Sequence, residues 1–254
     1  LYVSYIGEQK NNCHDLKIIA ADLNEQFLNF KLFFKTQNCV DINNNHGYWA
    51  PQGAGGRIVN LDNSNLLFTT GDFRNRPLSQ DVKSDYGKIL KINIQSKNSE
   101  VVSLGHRNPQ GLYYSNKFDF ILSTEHGPKG GDEINLNHNP LDEVKNFGWP
   151  ISSYGEHYGG KSLLNRLTRY IKYPLHKSHK EYGFIEPLKY FVPSIGISEI
   201  ILLNNDFLFA KNKQILVSSL SGKSLHYLQI NDQKIVKDLT ININERIRDM
   251  IYVE

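Results

Sequence analysis

Short apolar runs separated by polar turns dominate the chain, and they repeat. The runs Lys17–Asn24, Lys88–Ile94 and Ser224–Asn231 are versions of one strand pattern. Each precedes a polar turn and a second apolar run, at Phe27–Phe34, Val101–Leu104 and Ile235–Leu239. The first two copies lie about 70 residues apart and the last two about twice that, which leaves room for one degenerate copy between them. A second pattern joins a strand, an Asn/Asp turn, a second strand and then Gly with a polar residue. Gly56–Val59 through Asn63 to Leu66–Asp72 is one copy, and Gly111–Tyr114 through Asn116 to Phe120–Gly127 is the next. Antiparallel strands at such spacing predict an all-β fold of the β-propeller type, whose blades present loops around a central channel. A β-sandwich is the alternative architecture.

The pattern breaks between residues 155 and 190. That stretch carries Arg166, Arg169, Lys172, His176, Lys177 and His179 among scattered Tyr and Leu. It predicts a short helix followed by a loop, inserted in a blade. A basic stretch with aromatics suits an anionic ligand, but it reads first as a solvated loop. Strands resume at Tyr190–Ser194 and reach Glu245–Asp249. Arg246 and Arg248 are expected to alternate on that last strand, with both side chains on one face.

At 254 residues the chain can bury a substantial core within one large all-β domain spanning 1–254. Fourteen Tyr and thirteen Phe favour strands over helices. The net charge of +3 is too small to imply nucleic acid as a partner. No apolar run approaches the roughly 18 residues of a membrane span. The two cysteines, Cys13 and Cys39, allow one bridge or two free thiols. The sequence opens at Leu1–Tyr5 and closes at Ile251–Glu254 in strand-like residues. It therefore reads as a propeller incomplete at both ends.

Candidate chemistry is concentrated between Leu104 and Pro150. Three blocks stand out: Leu104-Gly105-His106-Arg107-Asn108-Pro109-Gln110-Gly111, then Glu125-His126-Gly127-Pro128-Lys129-Gly130-Gly131-Asp132-Glu133, then Asn146-Phe147-Gly148-Trp149-Pro150. So many Arg, His, Asn and acidic side chains are costly to order or bury unless they bond one another, a metal or a ligand. The blocks, in this order, resemble the signature of the soluble pyrroloquinoline-quinone-dependent aldose sugar dehydrogenases, the glucose/sorbosone dehydrogenase family. The likeness extends over nearly the whole chain. It implies a six-bladed propeller, of which this chain has room for four to five blades.

The resemblance also implies a reaction and a site. The reaction is oxidation of an aldose at C1 to its lactone, with pyrroloquinoline quinone and Ca2+ as cofactors and an unidentified electron acceptor as partner. Arg107, Asn108 and Gln110 match cofactor-contacting positions, with Arg107 and Asn108 directed at the reactive quinone carbonyl. Arg246 and Arg248 match a further pair that contacts the cofactor. Gly127 and Pro128 match the carbonyls that hold calcium against the quinone, and Glu133, with the backbone around Phe147, matches a second calcium position. His106 reads as structural. Relatives are exported to the bacterial periplasm.

One departure changes the expectation. The family's general base is a histidine four residues before the arginine that corresponds to Arg57, and here that position is Gly53. Its orienting carboxylate is kept as Asp72, and His46 is the candidate substitute. The family's cofactor-contacting lysine is replaced by Ser221, with Lys223 close by. Glycine moves no proton, so two functions stand side by side: a sugar dehydrogenase, or an impaired propeller that binds cofactor or carbohydrate without turnover. A calcium-dependent lactone hydrolase is a third, and it would need carboxylate and Asn ligands converging on the channel.

Overall fold

The computed structural model describes residues 1–9, 12–23, 27–41, 53–158, 163–203, 213–231 and 233–252. Among the described residues seventeen strands form four sheets, and the one α-helix lies in the basic stretch. The first sheet contains β1 (Tyr2–Gln9), β2 (Cys13–Ala20) and β3 (Lys31–Lys35), with the short β4 (Val40–Asp41) also paired to β2. The second runs β5 (Gly55–Asn60), β6 (Asn65–Thr70), β7 (Lys88–Asn93) and β8 (Ser99–Leu104) as an antiparallel meander. The third contains β9 (Pro109–Ser115), β10 (Phe120–Glu125) and β11 (Asp132–His138). Its outer edge is β13 (Lys189–Phe191), reached only after β12 (Lys145–Asn146) and α1 (Leu163–Lys172). The fourth is β14 (Ile197–Leu203), β15 (Lys213–Ser219), β16 (Ser224–Asn231) and β17 (Lys234–Asn242).

Both sequence repeats map onto these sheets. The runs singled out first are β2, β7 and β16, each followed by the strand that pairs antiparallel on its outer side, β3, β8 and β17. The degenerate copy between them is the pair β11 and β13, obscured by the residues inserted between the two strands. Those residues form a helix followed by irregular chain, as expected.

Period-2 alternation holds the blades together. On β6, Leu66 and Phe68 enter a core with Leu16, Ile18, Phe33 and Phe34 of the first sheet, whereas Leu67 enters a core with Leu112 and Ile121 of the third. On β10, Phe120 and Leu122 turn the other way, onto Ile200, Ile215 and Leu228 of the fourth sheet. All of these side chains are buried. Each central sheet is therefore apolar on both faces. The inner strands β5, β9 and β14 pack side by side.

Cys13 and Cys39 form a disulfide with their Cα atoms 5.4 Å apart, which resolves the alternative left open by the sequence. One expectation fails. Residues 243–252, beyond β17, are not a strand, so Arg246 and Arg248 do not alternate within a sheet. The segment is instead fastened by single contacts: Ile247 N–H donates to the Ser219 carbonyl at 3.1 Å and the Ser198 hydroxyl donates to the Ile247 carbonyl at 2.6 Å.

Candidate active site

At one end of the second, third and fourth sheets, the loops before the inner strands and those between second and third strands surround a cavity of about 540 Å³. Gly53 precedes β5, Asp72 and Arg74 follow β6, and Arg107 and Asn108 precede β9. Gly127 follows β10, Ser221 follows β15, and Arg248 closes the wall beyond β17. Of the sequence candidates, Asp72, Arg107, Asn108, Gln110, Gly127 and Arg248 line this one space. Arg246 is exposed and is not part of the wall. Pro128 is buried behind Gly127. His46 lies outside the described residues.

Arg107 is held at three points. Its backbone N–H donates to Glu125 Oε1, its Nη1 donates to the His126 carbonyl at 2.7 Å, and its guanidinium lies 5.5 Å from the Trp149 ring centre. Glu125 is fixed in turn by His106, whose Nδ1 is 2.9 Å from Oε2 and whose Nε2 is 2.8 Å from the Ser103 hydroxyl. His106 is fully buried and stacks on Phe147, so its role is structural. Asn108 Oδ1 accepts from the Gly55 N–H at 3.1 Å and from Gln110 Nε2 at 2.9 Å, which leaves its Nδ2 group as the donor.

Asp72 is 2% exposed and is tied to the third sequence block. Trp149 Nε1 donates to its Oδ2 at 2.8 Å, and the Arg74 N–H donates to its Oδ1 at 2.7 Å. Burial raises the Asp72 pKa, with Arg107 and these two hydrogen bonds opposing. Burial lowers the His126 pKa despite Asp132; Arg107 and Arg248 also lower it, so the imidazole is held neutral among guanidinium groups.

The donor set suits a planar polycarboxylate: three guanidinium groups (Arg74, Arg107 and Arg248) and two amides, from three segments, around one space. Gly127 is required where it stands, since a Cβ there would collide with the Gly131 carbonyl. Among the described residues neither the Gly127 nor the Pro128 carbonyl accepts a hydrogen bond, which suits a hard cation. Among the same residues no three His, Cys, Asp or Glu side chains gather as a metal cluster. Glu133 does not line the cavity. Its Oε1 is 3.5 Å from His179 Nε2, both groups being buried. Burial raises Glu133 despite His179; burial works against the charge on His179, but the Glu133 and Glu186 carboxylates raise it. A carboxylate with an imidazole partner does not fit a second calcium there.

The sequence reading missed five participants, one being Arg74, which the turn after Asp72 brings to the wall. Trp149 and Glu125 lie within the motif blocks, where their residue types alone mark no role. Asp132, whose Oδ1 accepts the Gly127 N–H at 3.1 Å and whose Oδ2 accepts the Ile197 N–H at 3.1 Å, stood in the same blocks. Tyr158 comes from the insertion, and no local signal marked it.

Comparison with known proteins agrees with this architecture. The sequence model described as Glucose / Sorbosone dehydrogenase matches residues 1–252. Among curated proteins, the aldose sugar dehydrogenase YliI of Escherichia coli is 28% identical over 211 residues, covering 77% of this chain and 53% of that protein. An uncharacterized Synechocystis protein, slr1608, is 29% identical over 223 residues, covering 78% and 50%. The chain thus spans about half the length of the curated relatives it matches. Among solved structures, the apo-form of the soluble aldose sugar dehydrogenase from Escherichia coli superimposes with a TM-score of 0.76 at 24% identity, over 98% of this chain and 70% of that one. The PQQ-bound aldose sugar dehydrogenase from Streptomyces coelicolor does so at 0.62 and 21%, over 97% and 64%. At these identities the likeness establishes the fold, that of the β-propeller.

Proposed function

Because the chain belongs to the glucose/sorbosone dehydrogenase family, we propose that it forms the site of a quinoprotein that oxidises an aldose at C1 to the lactone, using pyrroloquinoline quinone and calcium. The observation that carries this reading is the meeting, on one cavity, of Arg107, Asn108 and Gln110 from the start of β9 with Arg248 from the segment beyond β17. When bound, the quinone supplies the two-electron acceptor. Calcium on the Gly127 and Pro128 carbonyls would supply Lewis acidity. Arg107 and Asn108 offer N–H donors where negative charge develops, and their positions are fixed in advance by Glu125, Gly55 and Gln110. Arg248 supplies counter-charge to carboxylates, and Arg246 lies two residues from it. Asp72, held by Trp149 and the Arg74 N–H, is the carboxylate that would orient a base at position 53.

Gly53 favours a second reading, in which the propeller binds cofactor or carbohydrate and does not turn over. Loss of a general base costs about 100- to 10,000-fold in rate. Reconstitution with calcium and the quinone, followed by dye reduction with a panel of aldoses, separates the two. Turnover supports the dehydrogenase, and quinone uptake without turnover supports the binding module. No uptake, with Arg107→Ala indistinguishable from wild type, overturns both. An electron acceptor of unassigned identity and an exported, periplasmic setting belong to the same proposal. The Cys13–Cys39 disulfide supports an oxidising compartment. No helix among the described residues is long and apolar enough to cross a membrane.

A further inference from the structure

The cationic mouth of the cavity is not explained by the cofactor reading. Asp72 is followed by Phe73 and Arg74, whose φ angles are +49° and +63°. Two consecutive non-glycine residues in the left-handed region are strained and persist only where surrounding structure dictates them. Here Phe73 is fully buried edge-on to Tyr86, with ring centres 5.2 Å apart, and Asp72 Oδ1 holds the Arg74 N–H. The turn thereby delivers Arg74 to the cavity wall, two residues from Asp72, with its guanidinium 5.8 Å from the Tyr158 ring centre.

The basic insertion meets the cavity at the same place. Arg169 of α1 donates to the Tyr158 carbonyl at 2.9 Å. Arg76 lies between Trp149 and Tyr173, at 5.8 and 5.2 Å from their ring centres, and Lys172 is 5.6 Å from Tyr173. Two carboxylates, Asp72 and Asp132, also line the cavity, held by neutral N–H donors that leave their charge in place, and Glu156 is paired with Lys177 at 2.8 Å. Arg74, Arg107 and Arg248 on the wall, with Arg76 and Arg169 behind it, outnumber these acids, and such a field draws anions into a cleft.

We propose that the sugar taken by this site is an anionic aldose, carrying a carboxylate or phosphate at the end remote from C1, and that Arg74 beside Tyr158 recognises that group, with Arg169 and Arg76 providing the surrounding positive field. The inference rests on the reading of the cavity as a quinone and aldose site and specifies its substrate class. It also gives the basic insertion a purpose that a solvated loop lacks.

Calorimetric titration of the quinone-loaded protein with glucose, glucuronate and glucose 6-phosphate tests it. At least one anionic sugar is expected to bind about tenfold more tightly than glucose, with the advantage shrinking as salt is raised. A carboxylate preference identifies uronates as the source and a phosphate preference identifies sugar phosphates. Arg74→Gln is expected to bring the anionic sugar to within about twofold of glucose, and Arg74→Lys to retain most of the preference, both with unchanged quinone affinity. Equal binding of glucose and both anionic sugars overturns the inference. So does an Arg74→Gln protein that loses quinone affinity instead of sugar preference. A protein that takes up no quinone overturns the cofactor reading alone, because the same titration on the unloaded protein still decides the sugar preference.

Discussion

Asp72 Oδ1 lies 3.6 Å from where a Cβ on Gly53 would sit, and among the described residues no other atom outside the immediate chain comes within 4 Å of that point. The site therefore keeps both the room for a side chain at position 53 and the carboxylate that would orient it. Gly53→His is expected to raise quinone-dependent dye reduction with aldoses by about 100-fold or more. Adding Asp72→Asn should cancel most of the gain. A wild-type protein that is already fast, and gains nothing from the histidine, would show that another group takes the proton.

The two C-terminal arginines are expected to separate. Arg248 lines the cavity and its charge helps hold His126 neutral, whereas Arg246 is exposed away from the wall. Arg248→Ala should weaken quinone binding about tenfold or more, as loss of a charge-assisted contact does, and Arg246→Ala should leave it within about twofold. Fluorescence or calorimetric titration with the quinone measures both. Equal losses would mean that the cofactor spans a wider footprint than this cavity.

Glu125 is expected to act through Arg107. Its two oxygens take the Arg107 N–H and the His106 ring, both in a buried setting. Glu125→Gln puts an N–H₂ where one of those donors points and should cost about 1–3 kcal/mol of stability. The readout specific to positioning is quinone affinity in the surviving folded fraction, expected to fall about tenfold while Arg107 itself is intact.

Much of the fold was legible because strand alternation is a local property. Leu66, Leu67 and Phe68 announce a strand buried on both faces, and Asn63 and Asn116 mark turns. The motif blocks were legible for the same reason, each being a contiguous loop at one end of a sheet. What stayed hidden depends on distant segments meeting. Trp149 reaches Asp72 across 77 residues, and Arg57 joins Glu199 at 2.5 Å and Asp249 at 3.1 Å from β5 to beyond β17. Arg246 and Arg248 looked like a strand because their i, i+2 spacing fits one, but the segment has no neighbouring strand to pair with among the described residues. Tyr158 carried no signal at all, since its place is fixed by how the insertion folds back.

The Arg57 cluster predicts a pH dependence. Burial raises the Glu199 pKa from 4.5 to about 7, with Arg57 opposing. Between these values the folded protein retains a proton that the unfolded chain has released, so this group's contribution to stability is lost as pH rises through about 7. Thermal unfolding across that window should show wild type losing stability relative to Glu199→Gln as pH increases. A difference between the two proteins that is flat with pH would mean the carboxyl is ionised throughout.

The two-faced strands β6 and β10 have a consequence for how such a molecule can change. Each inner wall serves two neighbours, so a blade is not a free-standing module that can be deleted or exchanged. Any volume altered at Leu67 must be answered at Ile121, and any altered at Phe68 must be answered at Phe34. New sequence is accommodated only where it leaves those walls untouched, as between β11 and β13, where the excursion departs and returns at the outer edge of the sheet. Novelty in this architecture is confined to its rims.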